Sequence, residues 1–283
     1  MIFGKISGPA SVNFVVWQFI VAATLRPLTT GGWESNMLLK KHLEVSGNYF
    51  FRWRSYLPLI MVVFFLAALP NFSYPLDDHL LDLIWEIFCL TISFLGFFIR
   101  IITVGCTPQK TSGRNTNKGQ VADYLNTRGM YSIVRNPLYL GNFFVGLGIS
   151  LFLRIWWVSF IYALLFMIYY ERIILAEEAF LEKKFKQQYT EWASKTPVFF
   201  PKFSRWQTPD LPFSFKKAIR KEYHGFLAII LSLFALEVVS DFYLHHYFYF
   251  DFMWKCLVGF GVIVYVTLRF LHKRTSFLKT PGR

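Results

Sequence analysis

The chain has 283 residues, 54% hydrophobic and 20% aromatic, and its 30 Lys and Arg against 17 Asp and Glu give a formal net charge of +13. This combination excludes an ordinary soluble enzyme, which could not cover so much apolar surface, and a disordered chain, which would not contain it. Apolar runs fall at about 12–25, 57–69, 83–104, 138–153, 155–170, 224–240 and 253–271. Several are shorter than the roughly 20 residues of an upright membrane helix, so tilt, re-entrance or local thinning is expected. The fold class is all-α: a polytopic membrane bundle of five to seven transmembrane helices. The first run follows Lys5 and is read as a retained helix, because Thr24-Leu25-Arg26-Pro27 makes a poor cleavage site.

The charges sort by loop. Segments 26–56, 105–137, 172–223 and 272–283 carry nearly all the Lys and Arg, whereas Asp77, Asp78, Asp82, Asp241 and Asp251 occupy the intervening loops. If all seven runs cross, the positive-inside rule turns the basic face to the cytoplasm. Three parts are expected: N-terminal membrane helices over 1–80, a core over 81–215, and a two-helix extension over 216–283. The core contains a helical hairpin over 138–170 and an amphipathic helix over 173–193, where Leu175, Phe180, Leu181, Phe185, Tyr189 and Trp192 recur at helical spacing. Cys89, Cys106 and Cys256 show no paired spacing, so neither a disulfide framework nor a zinc site is read. Acidic metal-binding motifs and nucleic-acid motifs are absent, and neither a metal nor a nucleic acid is expected as a partner.

Ionisable groups within apolar runs are costly and call for an explanation. Arg100 lies near the end of the third run, where its stem can snorkel, and Glu86 and Glu237 sit near opposite ends of their helices. The loop 111–119 is rich in small residues, hydroxyls, amides and bases, including Arg114, and suits anionic oxygens as well as it suits plain solvation. It leads through Asp123-Tyr124-Leu125-Asn126-Thr127-Arg128-Gly129 into Arg135-Asn136-Pro137-Leu138-Tyr139, a guanidinium, an amide, a rigid turn and a phenol at the mouth of a helix. Gly141, Gly146 and Gly148 permit close approach to that helix. The two apolar runs that follow would carry the chain into a bilayer and back, returning Glu177-Glu178 to the face that holds Arg135 and Tyr139.

The ordered set Gly129, Tyr131, Arg135, Pro137, Tyr139, Gly141, Glu177, Glu178, Leu181, Phe185, Tyr189, Pro197 and Pro201 resembles the isoprenylcysteine carboxyl methyltransferase family, whose plan phospholipid methyltransferases share. The resemblance covers about residues 96–203. It implies a bundle with a cytosol-facing pocket for S-adenosylmethionine beneath a tunnel open to lipid. Carried over by position, Tyr131, Asn136, Tyr139 and Glu177 with its neighbour Glu178 would bind the cofactor. The backbone of Asp123–Asn126, including Tyr124 and Leu125, would close over it, and Gln109 is a further contact. The family usually has His where this chain has Asn136, so a donor is kept but acid–base chemistry there is not. Its acceptor-binding arginine falls at Ile173, with Arg172 one residue away, about 100° around a helix. The stretches 111–116 and 125–135 look closest to a bacterial branch that includes methyltransferases of the lipid A 1-phosphate.

The resemblance and the arginines together lead to an expected activity: S-adenosylmethionine-dependent methyl transfer to an anionic membrane lipid, at best a lipid A phosphate, in a bacterial inner membrane with the site facing the cytoplasm. An acceptor that arrives ionised needs positioning rather than a strong base. Arg135 and Arg172 are the expected catalytic residues, and Arg100, Arg114, Arg135 and Arg172 the expected acceptor ligands, because guanidinium suits phosphate. Alternative acceptors are an isoprenylcysteine carboxylate and the amine of phosphatidylethanolamine. A non-enzymatic alternative is a membrane scaffold whose basic loops hold anionic lipids.

Overall fold

A long apolar run in lipid must satisfy its own backbone hydrogen bonds, and helix formation is how each such run of this chain does so. The computed structural model describes residues 46–47, 49–50, 57–71, 79–108, 111, 114–116, 119–246, 251–278 and 280; the apolar run at 12–25, Gln109 and the Arg114 side chain lie outside them. Helix α1 spans Leu57–Ala68 and tightens into a 3-10 turn, Leu69–Asn71. Helix α2 spans His79–Cys106. A small antiparallel pair follows, β1 (Arg114–Thr116) and β2 (Gly119–Val121), in register Arg114↔Val121, Asn115↔Gln120 and Thr116↔Gly119. The short α3 (Met130–Ile133) precedes α4 (Pro137–Phe152) and α5 (Trp156–Phe185). Then come α6 (Gln187–Lys195), a 3-10 turn at Phe203–Arg205, α7 (Phe215–His245) and α8 (Phe252–Arg274).

Four of these helices, α2, α5, α7 and α8, are long and apolar enough to cross a bilayer, and α4 is a shorter apolar helix. At a rise of about 1.5 Å per residue α4 covers only about 24 Å, whereas α5 covers about 45 Å. The surplus carries the polar half of α5 clear of the apolar layer. Residues 173–193 are accordingly no separate amphipathic helix. Nothing between Tyr170 and Phe185 breaks the helix, so the apolar and amphipathic runs fuse, and the break comes at Lys186 (φ 47°). The turn between α4 and α5 is tight and contains Arg154 at φ 59°.

Small residues let α2 and α4 pack backbone to backbone, the usual device where lipid gives helices no hydrophobic reason to associate. A Cβ on Gly141 would lie 2.7 Å from the Gly96 carbonyl oxygen, and one on Gly148 would collide with Ser93 and the Cys89 carbonyl. Aromatic rings fill the space between α4 and α5, with Phe166 stacked on Tyr170 at 4.0 Å between centroids and Phe143 on Tyr162 at 6.1 Å. Outward-facing Leu95, Phe98, Phe160, Ile168, Phe260 and Ile263 give the bundle an apolar exterior suited to hydrocarbon.

Helix α7 runs alongside α2 and is tied to it by charge. Arg100 donates from Nε and from the second terminal nitrogen to the two oxygens of Glu222, each at 2.9 Å, and from its other terminal nitrogen to Asn142 Oδ1 on α4. Lys217, 4% exposed, donates to the Thr107 carbonyl and hydroxyl and so caps the C-terminal end of α2.

Gly96→Ala should therefore cost about 1–3 kcal/mol, because the added methyl meets the backbone of α4 rather than a movable side chain. Gly259→Ala, where nothing lies within 4 Å, should be neutral or stabilise by up to about 1 kcal/mol through helix propensity. Denaturation of the two variants in mixed micelles measures the contrast.

Candidate functional site

Pro137 opens α4 at a position where its missing N–H is no loss, and this sets Tyr139 on the first turn, facing α5. The Tyr139 phenol donates to Glu177 Oε2 at 2.9 Å, with both residues 8% exposed. Asn136, the N-cap residue, does not cap the helix with its side chain; its Nδ2 donates to the Val198 carbonyl at 3.4 Å. Tyr170 packs its ring 4.8 Å from that of Tyr139 and closes the apolar side of the pair.

Arg135 is committed to the protein itself. Its Nε donates to the Thr196 carbonyl at 2.7 Å, one terminal nitrogen to the Ala193 carbonyl at 2.6 Å, and the other to Glu178 at 3.0 and 3.3 Å. Backbone bonds continue the same seam: Arg135 N to Pro197 O, Lys202 N to Ile133 O, and Gly129 N to Gln207 O, all between 2.9 and 3.0 Å. Residues 196–211 thus form a strap laid over the segment from Gly129 to Arg135. Gly129 sits at φ 61°, where an L side chain is strained, and Pro209 lies directly over its α-carbon.

Beneath the strap lies a cavity of about 650 Å³, bounded by the end of α2 (Thr103 to Pro108), by Asp123–Asn126, Arg128, Met130 and Tyr131, and by Pro209–Leu211. That size holds a cofactor-sized molecule. The Tyr131 phenol is fully enclosed; burial first, and then the Glu177 charge, push its pKa well above the ordinary tyrosine value, so it is a neutral hydroxyl at any physiological pH. Tyr131 thereby connects the cavity it lines to the Tyr139–Glu177 pair. Asn126 stands beside it, and its Nδ2 is buried with no acceptor in hydrogen-bonding geometry among the described residues. A buried donor left unmatched costs about 1–3 kcal/mol unless a ligand supplies the acceptor. The lining carries two carboxylates, Asp123 and Asp210, against one guanidinium, Arg128, and apolar walls at Leu125, Met130 and Leu211. The lining offers the group types S-adenosylmethionine would need: acidic acceptors for its ammonium and sulfonium charge, the Arg128 guanidinium, which also pairs with Asp210 at 3.1 Å, for its carboxylate, and apolar walls for its adenine.

The residues read from sequence divide sharply in the structure. Tyr124, Leu125 and Tyr131 line the cavity. Asn136, Tyr139, Glu177 and Glu178 do not line it; the first faces the strap, the next two pair with each other, and the last holds Arg135. Arg100 is spent on Glu222 and Asn142. Arg172 lies about 140° around α5 from Glu177 and donates to Ser46 Oγ at 3.3 Å, and Ile173, on the Glu177 face, is fully buried. Sequence reasoning missed Arg128, Thr103, Met130 and the whole of Pro209–Leu211.

Fold and site together define a helical membrane protein with a polar cavity at one end of its bundle. Residues 86–188 match the family model described as phospholipid methyltransferase. Over that segment the chain is similar to integral membrane methyltransferases of the phospholipid and isoprenylcysteine type. The cobalt-zinc-cadmium resistance protein CzcN of Cupriavidus metallidurans is 36% identical over 41% of this chain and 50% of its own length. The nickel-cobalt-cadmium resistance protein NccN of Alcaligenes xylosoxydans is 33% identical over 41% and 51%. The protein-S-isoprenylcysteine O-methyltransferase of Schizosaccharomyces pombe is 25% identical over 52% and 59%. The chain thus spans about half the length of the curated relatives it matches. No solved structure matches it.

Tyr139→Phe should destabilise the protein by about 1–3 kcal/mol, because it removes the phenol that satisfies a buried carboxylate oxygen. Adding Glu177→Gln should recover most of that loss, since an amide is cheaper to bury than a charge. Thermal unfolding of wild type and both variants tests this. Arg135→Lys, which cannot reproduce the fork, should loosen the strap, and limited proteolysis should then cut faster within 196–211.

Proposed function

We propose that the chain is an S-adenosylmethionine-dependent methyltransferase acting on an anionic oxygen of a membrane lipid, with a lipid A phosphate, the 1-phosphate, as the acceptor of choice. The observation that carries this reading is the strapped cavity with its unmatched Asn126 donor, set at the end of an apolar bundle within the segment that matches phospholipid methyltransferases. S-adenosylmethionine bound there would supply an electrophilic methyl group whose carbon–sulfur electron pair leaves with sulfur. The chain's own task is placement. Asn126 and Arg128 would orient polar ends, Tyr131 would offer a neutral hydroxyl, and the strap would keep water out. A phosphate oxygen brings its own electron pair and needs no base, in keeping with the lack of histidine among the described residues that line the cavity.

The arginines once expected at the acceptor serve positioning in this reading. Arg135 fixes the strap through Glu178 and two carbonyls, while Arg172 and Arg100 hold helix contacts. Arg128, paired with Asp210 at 3.1 Å, stays with the cofactor end of the cavity. The basic residues at the cavity end of the bundle, including Lys183, Lys184, Lys202 and Lys216, support placing that end on the cytoplasmic face of a bacterial inner membrane. The names of the two resistance proteins suit a phosphate acceptor. Methylating a phosphate monoester removes its second ionisation, near pH 6, and so weakens its hold on divalent cations.

The decisive experiment uses the full chain in nanodiscs, with calorimetry for cofactor binding and labelled S-adenosylmethionine for transfer to a lipid extract. Wild type should bind, Asn126→Ala should bind about tenfold more weakly, equivalent to about 1.4 kcal/mol, and label should enter acidic phospholipid or lipid A. Label confined to an amine head group or to a prenylated cysteine overturns the acceptor. No binding by wild type overturns the enzyme in favour of the lipid-holding scaffold.

A further inference from the structure

At the end of the bundle remote from the cavity, three carboxylates from two helices converge. Asp82 and Glu86 are one turn apart on α2, Glu237 is on α7, and one oxygen of each lies within 4.8 Å of the others. Glu86 and Glu237 are 3% and 4% exposed. The antiparallel register of α2 and α7 explains the meeting: from Arg100 back to Glu86 and from Glu222 on to Glu237 are both about 21–22 Å, so the pairing at one end dictates the pairing at the other. These three residues form no acidic motif along the chain, and no metal is expected from the sequence.

Among the described residues the group is short of positive charge. Arg154, in the α4–α5 turn, pairs with Asp82 and brings one positive charge to three carboxylates. Asp241 and Asp251 deepen the negative field rather than relieve it. Glu86 is almost wholly buried, yet its Oε1 has no hydrogen-bond donor among the described residues. Ser240, fully buried one turn beyond Glu237 on the same face of α7, has a hydroxyl that is likewise unmatched. The Trp254 indole N–H stands beside Glu86 but is neutral, so what these buried carboxylates lack in an apolar bundle is positive charge.

We propose that Asp82, Glu86 and Glu237 bind one hard divalent cation, of the Mg²⁺, Ca²⁺ or Mn²⁺ kind, and that this ion fastens α2 to α7. An all-oxygen donor set selects such ions over the softer ones that prefer imidazole or thiolate. With all three carboxylates ionised, the Arg154 guanidinium leaves two negative charges within the group, which one divalent cation closes. The proposal is independent of the methyl-transfer reading, since no residue of the cavity takes part.

The test is a titration of the full chain in nanodiscs, stripped of metal, with Mg²⁺, Ca²⁺ and Mn²⁺, followed by calorimetry, by the Mn²⁺ paramagnetic resonance signal and by thermal unfolding. Wild type should take up one ion per chain and unfold at a higher temperature when loaded. The double variant Glu86→Gln, Glu237→Gln keeps the shape and should bind at least about tenfold more weakly, whereas Asp210→Asn at the far end should bind as wild type does. Cofactor binding should be the same in wild type and the double variant. Uptake by wild type at no more than the level of the double variant overturns the proposal, as does a wild-type melting temperature that ignores all three ions. In that event a proton shared between Glu86 and Glu237 satisfies the group instead.

Discussion

The contact between α2 and α4 governs the rest of the molecule. Glycines at 96, 141 and 148 and the hydroxyl of Ser93 let the two backbones touch, and dispersion between closely fitted surfaces replaces the hydrophobic drive that lipid withholds. Once α4 is seated on α2, Asn142 faces Arg100, and Arg100 in turn holds Glu222 of α7. The other side of α4 is then turned to α5, where Tyr139 meets Glu177. A single close crossing thus fixes the positions of two other helices, α5 and α7, and of the polar groups between them.

Polar groups are concentrated at the two ends of the bundle, and the ends differ in kind. The cavity end is rich in main-chain acceptors, bound by Arg135, Lys217 and Trp192, whose indole donates to the Tyr131 carbonyl at 3.0 Å. Cations there complete open backbone. Among the described residues the far end has carboxylates, one arginine and orphaned oxygens. Between them the aromatic stack of Phe143, Tyr162, Phe166 and Tyr170 contributes packing, with the Tyr162 hydroxyl donating to the Phe143 carbonyl at 3.1 Å.

Much of this was legible in the chain itself. Apolar runs give helices because lipid leaves the backbone no other choice, and the two runs after Pro137 foretold a hairpin that returns Glu177 to Tyr139. What escaped depends on main chain or on long range. Nothing in the local pattern around Arg135 says that carbonyls at 193 and 196 will saturate it, because every residue has a carbonyl and only the path of the chain selects two. The cavity wall at Pro209–Leu211 and the pairing of Arg100 with Glu222 join residues about eighty to more than a hundred positions apart, beyond the reach of any periodicity. The fused α5 was missed for a simpler reason: polarity changes along it while helix propensity does not.

The strap has a bearing on how the protein is made. The cavity takes its walls from the end of α2, from 123–131 and from 209–211, and its far rim is anchored by Ser214 N to the Gly105 carbonyl at 3.0 Å. A ribosome adding 5–20 residues per second needs on the order of ten seconds to pass from Tyr131 to Leu211. During that interval the hairpin of α4 and α5 can enter the bilayer, but the chamber has no roof. A growing chain therefore inserts with its chamber open, and the chamber is closed only as α7 starts to follow. A fragment ending after α6 would contain the α4–α5 hairpin and none of the 209–211 wall.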